Sequence, residues 1–191
     1  MPRVPAPIRR ILLLFAHPAP HKSRVNRRLV AEAERVDGVT VRYLYEIYPD
    51  FLIDVREEQR LLETHDALVF QHPMYWYSAP SLVKEWMDLV LEHGWAYGKG
   101  GTALQGRIFA QAVTTGGSKD AYCGEGKNRH SVREFLLPFE QSARLCGMDW
   151  MESFVVHGTA DLKTADDIEP FARAYRNWLE ALRDGNPNPG D

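Results

Sequence analysis

Cysteine is scarce: Cys123 and Cys146 are the only two in 191 residues. Two thiols cannot staple a chain of this length, so a disulfide scaffold is excluded, and reduced thiols in a cytoplasmic protein are the expected state. Cys146 closes an apolar helical pattern and reads as core, whereas Cys123 sits in a polar loop. Long hydrophobic runs are missing as well. No stretch approaches the roughly 20 apolar residues of a membrane span. ILLLFA, behind Arg9 and Arg10, is too short for a signal core and leads at once into a helical pattern, so it reads as a strand. Charge of one sign is also lacking. The 23 basic and 26 acidic residues leave a net charge of −3, which excludes nucleic acid as an obligate partner. Two phosphate motifs are absent too. No G-x-G-x-x-G follows the first apolar run. GWAYGKGGT (94–102) lacks the Ser or Thr and the spacing of a P-loop.

Short apolar runs alternate with helical patterns. The runs cover 8–15, 39–44, 67–71, 107–113 and 151–156. Unbroken runs such as ILLLF and ALVF suit strands covered on both faces, as in a parallel sheet. Between them, Val25, Leu29, Ala33 and Val36 line one helical face, and Leu82, Val83, Trp86, Met87 and Val90 line another. A long stripe from Ile168 to Leu182 follows, with Thr164 and Asp167 spaced as a capping box. Pro138 is expected to start a helix, because a proline fits the first turn and not the interior. The chain reads as a single α/β domain over 1–191, with loose ends at about 1–7 and 184–191. The expected architecture is a doubly wound, five-stranded parallel sheet with helices on both faces.

Ligands of such sheets gather beyond the carboxyl ends of the strands, which directs attention to the loops after strands one, three and four. In AHPAPHKSRVNRRL, Ser23 is placed to cap a helix starting at Arg24. Ser23 alone is only a cap. With His17, Arg24 and Asn26 around a helix N-terminus, it becomes a phosphate-type site. In HPMYWYSAPSLVKEW, three consecutive aromatics, Tyr75, Trp76 and Tyr77, occupy a segment that must turn. They suit the wall of a flat ligand, or a subunit interface. In TTGGSKDAYCGEGKNRH, Gly116 and Gly117 let backbone approach a ligand, and Tyr122 and His130 are the residues suited to proton donation. One planar ligand with a phosphate tail accounts for all three loops, and FMN has that shape. Alternatives weighed are a one-electron carrier and an α/β domain without cofactor.

Taken in order, AHP…KSRVN, HPMYWYSAPSLVKEWMDLVLEHGWAYG and AVTTGG resemble the flavodoxin-like NAD(P)H:quinone oxidoreductases. The resemblance spans 11–156 and is closest to the bacterial ancillary subunits of glutathione-gated potassium-efflux antiporters. It implies bound FMN (FAD in some longer relatives) and NAD(P)H as electron donor to a quinone-like acceptor. It implies a homodimer with the active site at the subunit interface. A cytoplasmic location follows, at the inner face of the membrane where an antiporter is the partner. The resemblance also implies flavin contacts at His17, Ser23, Arg24, Val25 and Asn26 around the phosphate. Met74, Tyr75, Trp76, Tyr77, Thr114, Thr115, Gly116 and Gly117 would border the ring. A Tyr and a His in the loop after TTGG assist hydride transfer in the quinone reductases. Tyr122 falls at the matching spacing. Asn128 holds the matching histidine position, and His130 lies two residues further on.

Overall fold

The computed structural model describes residues 9–185. The expected loose ends at 1–7 and 186–191 lie outside them. Asp184 and Gly185 turn back onto the last helix, bonding Glu180 and Leu182.

The elements run β1 (Ile11–Phe15), α1 (Arg24–Ala33), β2 (Val39–Tyr43), α2 (Leu44–Ile47), α3 (Val55–Glu63), β3 (Ala67–Pro73) and α4 (Ser81–Val90). The second half runs β4 (Ile108–Thr114), α5 (Val132–Phe135), α6 (Leu137–Leu145), β5 (Asp149–Trp150), β6 (Phe154–Val156) and α7 (Ala165–Arg183). Strand order is β2-β1-β3-β4-β5, with β6 also on β4, and every pairing is parallel. This is the flavodoxin-type winding, with a switch point between β1 and β3.

Alternation along each strand sorts the core into two layers. Ile11, Leu13 and Phe15 face α1 and α7 with Val25, Leu29, Ala172, Tyr175 and Leu179. Leu12 and Leu14 face the opposite layer with Leu82, Trp86, Phe139 and Ala143. Both faces are covered, so the strands can be apolar throughout. The two predicted helix starts are present: Thr164 and Asp167 form a reciprocal capping box, and Pro138 lies in the first turn of α6.

The predicted fifth strand, 151–156, is corrected to two pieces. Asp149 and Trp150 pair with Ile108 and Phe109, and Phe154 to Val156 pair with Ala112 to Thr114. Met151, Glu152 and Ser153 therefore oppose only Ala110 and Gln111. One extra residue on an edge strand is a bulge, and it shifts the register of everything beyond it. The result is that the residue after β6, His157, reaches the rim where β1, β3 and β4 also end.

Candidate functional site

The first wall is the start of α1. Ser23 caps the helix, its Oγ accepting from the Asn26 N–H at 3.2 Å. The N–H groups of the first turn have no partner further back in the helix, and the dipole favours an anion there. His17 is buried beside this terminus, and its Nδ1 accepts from the Ala19 N–H at 3.1 Å. Burial, and then the neighbouring His21, push its pKa down. A neutral ring with Nδ1 as acceptor carries its proton on Nε2, which leaves one donor free. Lys22, which sequence reading passed over, lines the same cleft. Arg24 turns aside to donate to the Lys163 carbonyl at 2.8 Å, and Val25 and Asn26 are buried.

The second wall answers the question of the aromatic row. Tyr75 and Ser78 exchange both backbone hydrogen bonds, at 2.9 and 3.0 Å. Trp76 and Tyr77 are the central residues, at φ +50° and +62°. Two consecutive positive φ values in a two-residue connection match a type I′ turn, a conformation that favours Asn and Gly. The geometry drives the side chains outward: Trp76 is 94% exposed, Tyr75 41% and Tyr77 47%. Tyr77 is held from outside the turn. Its ring lies 4.9 Å from that of Phe135, and its hydroxyl donates to Asn128 Oδ1 at 3.3 Å.

The third wall is the end of β4. Thr114 accepts from Asn26 Nδ2 through Oγ1 at 2.8 Å and from the Met74 N–H through its carbonyl at 2.8 Å. A Cβ on Gly116 would meet no protein atom within 4 Å, so nothing of the chain fills that position. A Cβ on Gly117 would come within 3.2 Å of the Tyr122 ring and 3.9 Å of Asn128 Nδ2, so the loop folds back over this glycine. Burial, and then Tyr77, push the Tyr122 phenol up, while the Thr115 hydroxyl pulls it back.

The structure gathers His17, Ser23, Arg24, Val25, Asn26, Met74, Tyr75, Thr114 and Gly116 around one cleft. Met74, Trp76, Tyr77, Gly116, Gly117 and Tyr122 line a second, with Lys127 and Asn128. Thr115 lies buried behind them, donating to the Gly117 carbonyl at 2.9 Å. His130 lines neither cleft. Its ring is held by Glu134 at 3.0 Å, and that bond, then those from the Ser131 N–H and hydroxyl, hold the Glu134 carboxyl down at about 2. The geometry thus moves the cleft position from His130 to Asn128, as the ungapped spacing had it. Sequence reading also missed His157 and Thr159. Both follow the fifth strand position, and the strand-end rule applied there would have found them.

Beneath the cleft runs a buried polar chain. The Tyr175 hydroxyl donates to Gln71 Oε1 at 3.0 Å, Gln71 Nε2 donates to the Asn26 carbonyl at 3.0 Å, and Asn26 continues to Thr114. It ties α7, β3, α1 and β4 together under the site. Tyr175→Phe is expected to cost about 1–3 kcal/mol, because it strands a buried acceptor on Gln71. Urea unfolding checks this, and a loss within error of zero would show that the chain does not brace the site. His72 lies apart, fully buried, with burial pushing its pKa down to about 4, which suits a structural role.

The two clefts, about 440 Å³ and about 360 Å³, share Met74 and Gly116 and so adjoin. Each lies in the range of small-ligand sites. Their chemistry fits FMN: cationic and N–H donors at one end, aromatic and glycine surfaces at the other. Asn26 Oδ1, buried and without a partner, adds an acceptor in the wall.

The model of a family described as a flavodoxin-like fold matches residues 9–179. The chain belongs to that family. Within the flavodoxin-like fold, it is 47% identical over 170 residues to the glutathione-regulated potassium-efflux system ancillary protein KefG of Pectobacterium carotovorum. That match covers 89% of this chain and 92% of the relative. Among solved structures it is similar to general stress protein 14 of Treponema denticola, which was solved in complex with FMN. Identity is 41%, TM-score 0.85, and coverage 91% of this chain and 99% of the other. An NADPH-quinone reductase from P. pentosaceus is 30% identical with TM-score 0.80, covering 88% and 96% of the two chains. The family expected from the motifs is the family found.

Proposed function

We propose that this chain is a flavin-dependent two-electron oxidoreductase that takes hydride from NAD(P)H and passes it to a quinone-like acceptor. One observation carries the reading: an anion-binding helix terminus and an aromatic, glycine-floored cleft adjoin across Met74 and Gly116. The FMN complex of one relative and the printed activity of another support it. When bound, the flavin supplies the hydride chemistry. FMN is preferred over FAD because the cleft ends at the first phosphate position.

The chain's own residues do the rest. His17 Nε2–H, Ser23 and the first-turn amides hold the phosphate, with Lys22 at the rim. Trp76 and Tyr77 close over the ring side and exclude water. The N–H groups near Gly116 and Gly117 meet charge that develops there. Tyr122 Oη holds the proton for the acceptor oxygen, and we place Asn128, not His130, beside it.

The purified protein is expected to be yellow, to bleach with NAD(P)H and to recover its colour with benzoquinone. A colourless preparation that gains no flavin from FMN or FAD would end this reading. Donor and acceptor share one open cleft, so initial rates should give parallel double-reciprocal lines. Intersecting lines would require both substrates to be bound together and would overturn the shared cleft.

A second reading is favoured by the KefG relatives: an ancillary subunit acting on the cytoplasmic side of a potassium-efflux antiporter. No helix among the described residues is long and apolar enough to cross a membrane. Efflux restored by a variant that cannot bind flavin would favour regulation as the primary role. A homodimer is part of the proposal in either case. Leu145 at 60% exposure and Leu137 at 48%, together with Trp76, are apolar surface of the kind an interface covers.

A further inference from the structure

His157 stands behind Tyr122 and has no part in the mechanism above. Its ring centroid is 5.6 Å from that of Tyr122, at an interplanar angle of 44°. Its Nδ1 lies 3.2 Å from Thr115 Oγ1. The Thr115 hydroxyl has a single proton and gives it to the Gly117 carbonyl at 2.9 Å. Thr115 Oγ1 can then only accept from the imidazole, so the ring carries its proton on Nδ1. The oxygen keeps one lone pair, on the side where it lies against the Tyr122 phenol. The segment is fixed independently: the Gly158 N–H donates to the Gly117 carbonyl at 2.8 Å and the Thr159 N–H to the Thr115 carbonyl at 3.0 Å.

We propose that His157 is the positioning residue for Tyr122: its Nδ1–H orients the Thr115 hydroxyl, and Thr115 in turn orients the phenol toward the cleft. The proposal rests on the proton role given to Tyr122 under the proposed function. It assigns to a histidine after the fifth strand the supporting part that spacing alone offered to His130. The bulge at 151–153 is what brings it there. The charged group facing His157 is Lys119, and with burial as the larger cause it keeps the imidazole pKa below its usual value. The ring is therefore neutral at pH 7, the form in which the Nδ1 proton must be chosen by its partner.

The first test needs no turnover. Proton–nitrogen correlation NMR on the full chain supplied with FMN should show the Nδ1–H tautomer at His157, and Thr115→Val should release it toward the Nε2–H form. An Nε2–H ring in the unaltered protein overturns the proposal. The second test is kinetic, with NAD(P)H and benzoquinone. His157→Ala should lower kcat about tenfold, part of the roughly 10²–10⁴-fold a positioned proton donor contributes, with flavin content and the KM for NAD(P)H unchanged. His157→Asn, whose amide nitrogen can stand where Nδ1 stood, should recover most of the loss, and His157→Gln should not. Combined with Tyr122→Phe, His157→Ala should add nothing. A full additive loss, or a loss in Tyr122→Phe with none in His157→Ala, overturns this inference alone. No loss in Tyr122→Phe overturns both it and the proton role from which it starts.

Discussion

Glu58→Ala is expected to cost about 3–5 kcal/mol of folding stability while leaving flavin binding per folded molecule unchanged. Glu58 is fully buried in α3 and gathers three elements. Arg42 of β2 pairs with it, the Tyr48 hydroxyl donates to Oε1 at 2.7 Å, and the Trp86 indole N–H of α4 donates to Oε2 at 2.9 Å. Alanine would leave the largely buried Arg42 cation and two donors without an acceptor. That stranding, and not the worth of the ion pair itself, sets the size of the loss. Pairing Glu58→Leu with Arg42→Met should therefore recover a large part of it in urea unfolding. If the double variant is as unstable as Glu58→Ala, the stranded charge is not the cause. The same cluster sets an alkaline limit. Burial, and then the bond to Glu58, push the Tyr48 phenol up to about 12. The folded state thus holds this proton more tightly than the unfolded chain, whose tyrosines titrate near 10. The contribution is intact below about pH 10 and is lost as pH rises toward 12. Tyr48→Phe should flatten that part of the stability profile.

Glu58 also marks where sequence reading runs out. Periodicity finds α1, α4 and α7 because their inner faces are apolar. The buried positions of α3 are Glu58 and Leu62, so its inner face does not show as an apolar stripe. The sheet was legible because each run is apolar on both faces. Its fifth position was not, since one extra residue at 151–153 breaks the register without breaking the hydrophobic pattern. At the site, Ser23 announced the helix terminus, and the glycine pair announced the open floor. His157 did not announce itself. Its distance of 42 residues from Thr115 is closed only by the pairing of β6 with β4. Spacing pointed to His130 for the same reason: it carries order along the chain, whereas proximity to Tyr122 is set across the sheet.

The turn Tyr75–Ser78 was the least legible feature and carries the second large prediction. Propensity places Asn-Gly at a type I′ turn, and this chain places Trp-Tyr. A left-handed conformation costs a non-glycine residue about 1–2 kcal/mol, and nothing in the chain packs on Trp76 to offset it. Strain kept at a cleft wall points to a use outside the folded monomer, over a bound ring or against a second subunit. Replacing Trp76 with Asn and Tyr77 with Gly together should therefore leave the melting temperature unchanged or higher, despite the lost contact of Tyr77 with Phe135. Function should move the other way. Two aromatic walls at about 0.5–1.5 kcal/mol each amount to about 1–3 kcal/mol, or roughly 5–150-fold in flavin affinity. Fluorescence titration with FMN measures the second quantity, calorimetry the first, and sedimentation tells whether dimerisation is lost with it. A variant that melts several degrees lower would show that the aromatics serve the fold. One that binds FMN and dimerises as before would leave the strain without a function.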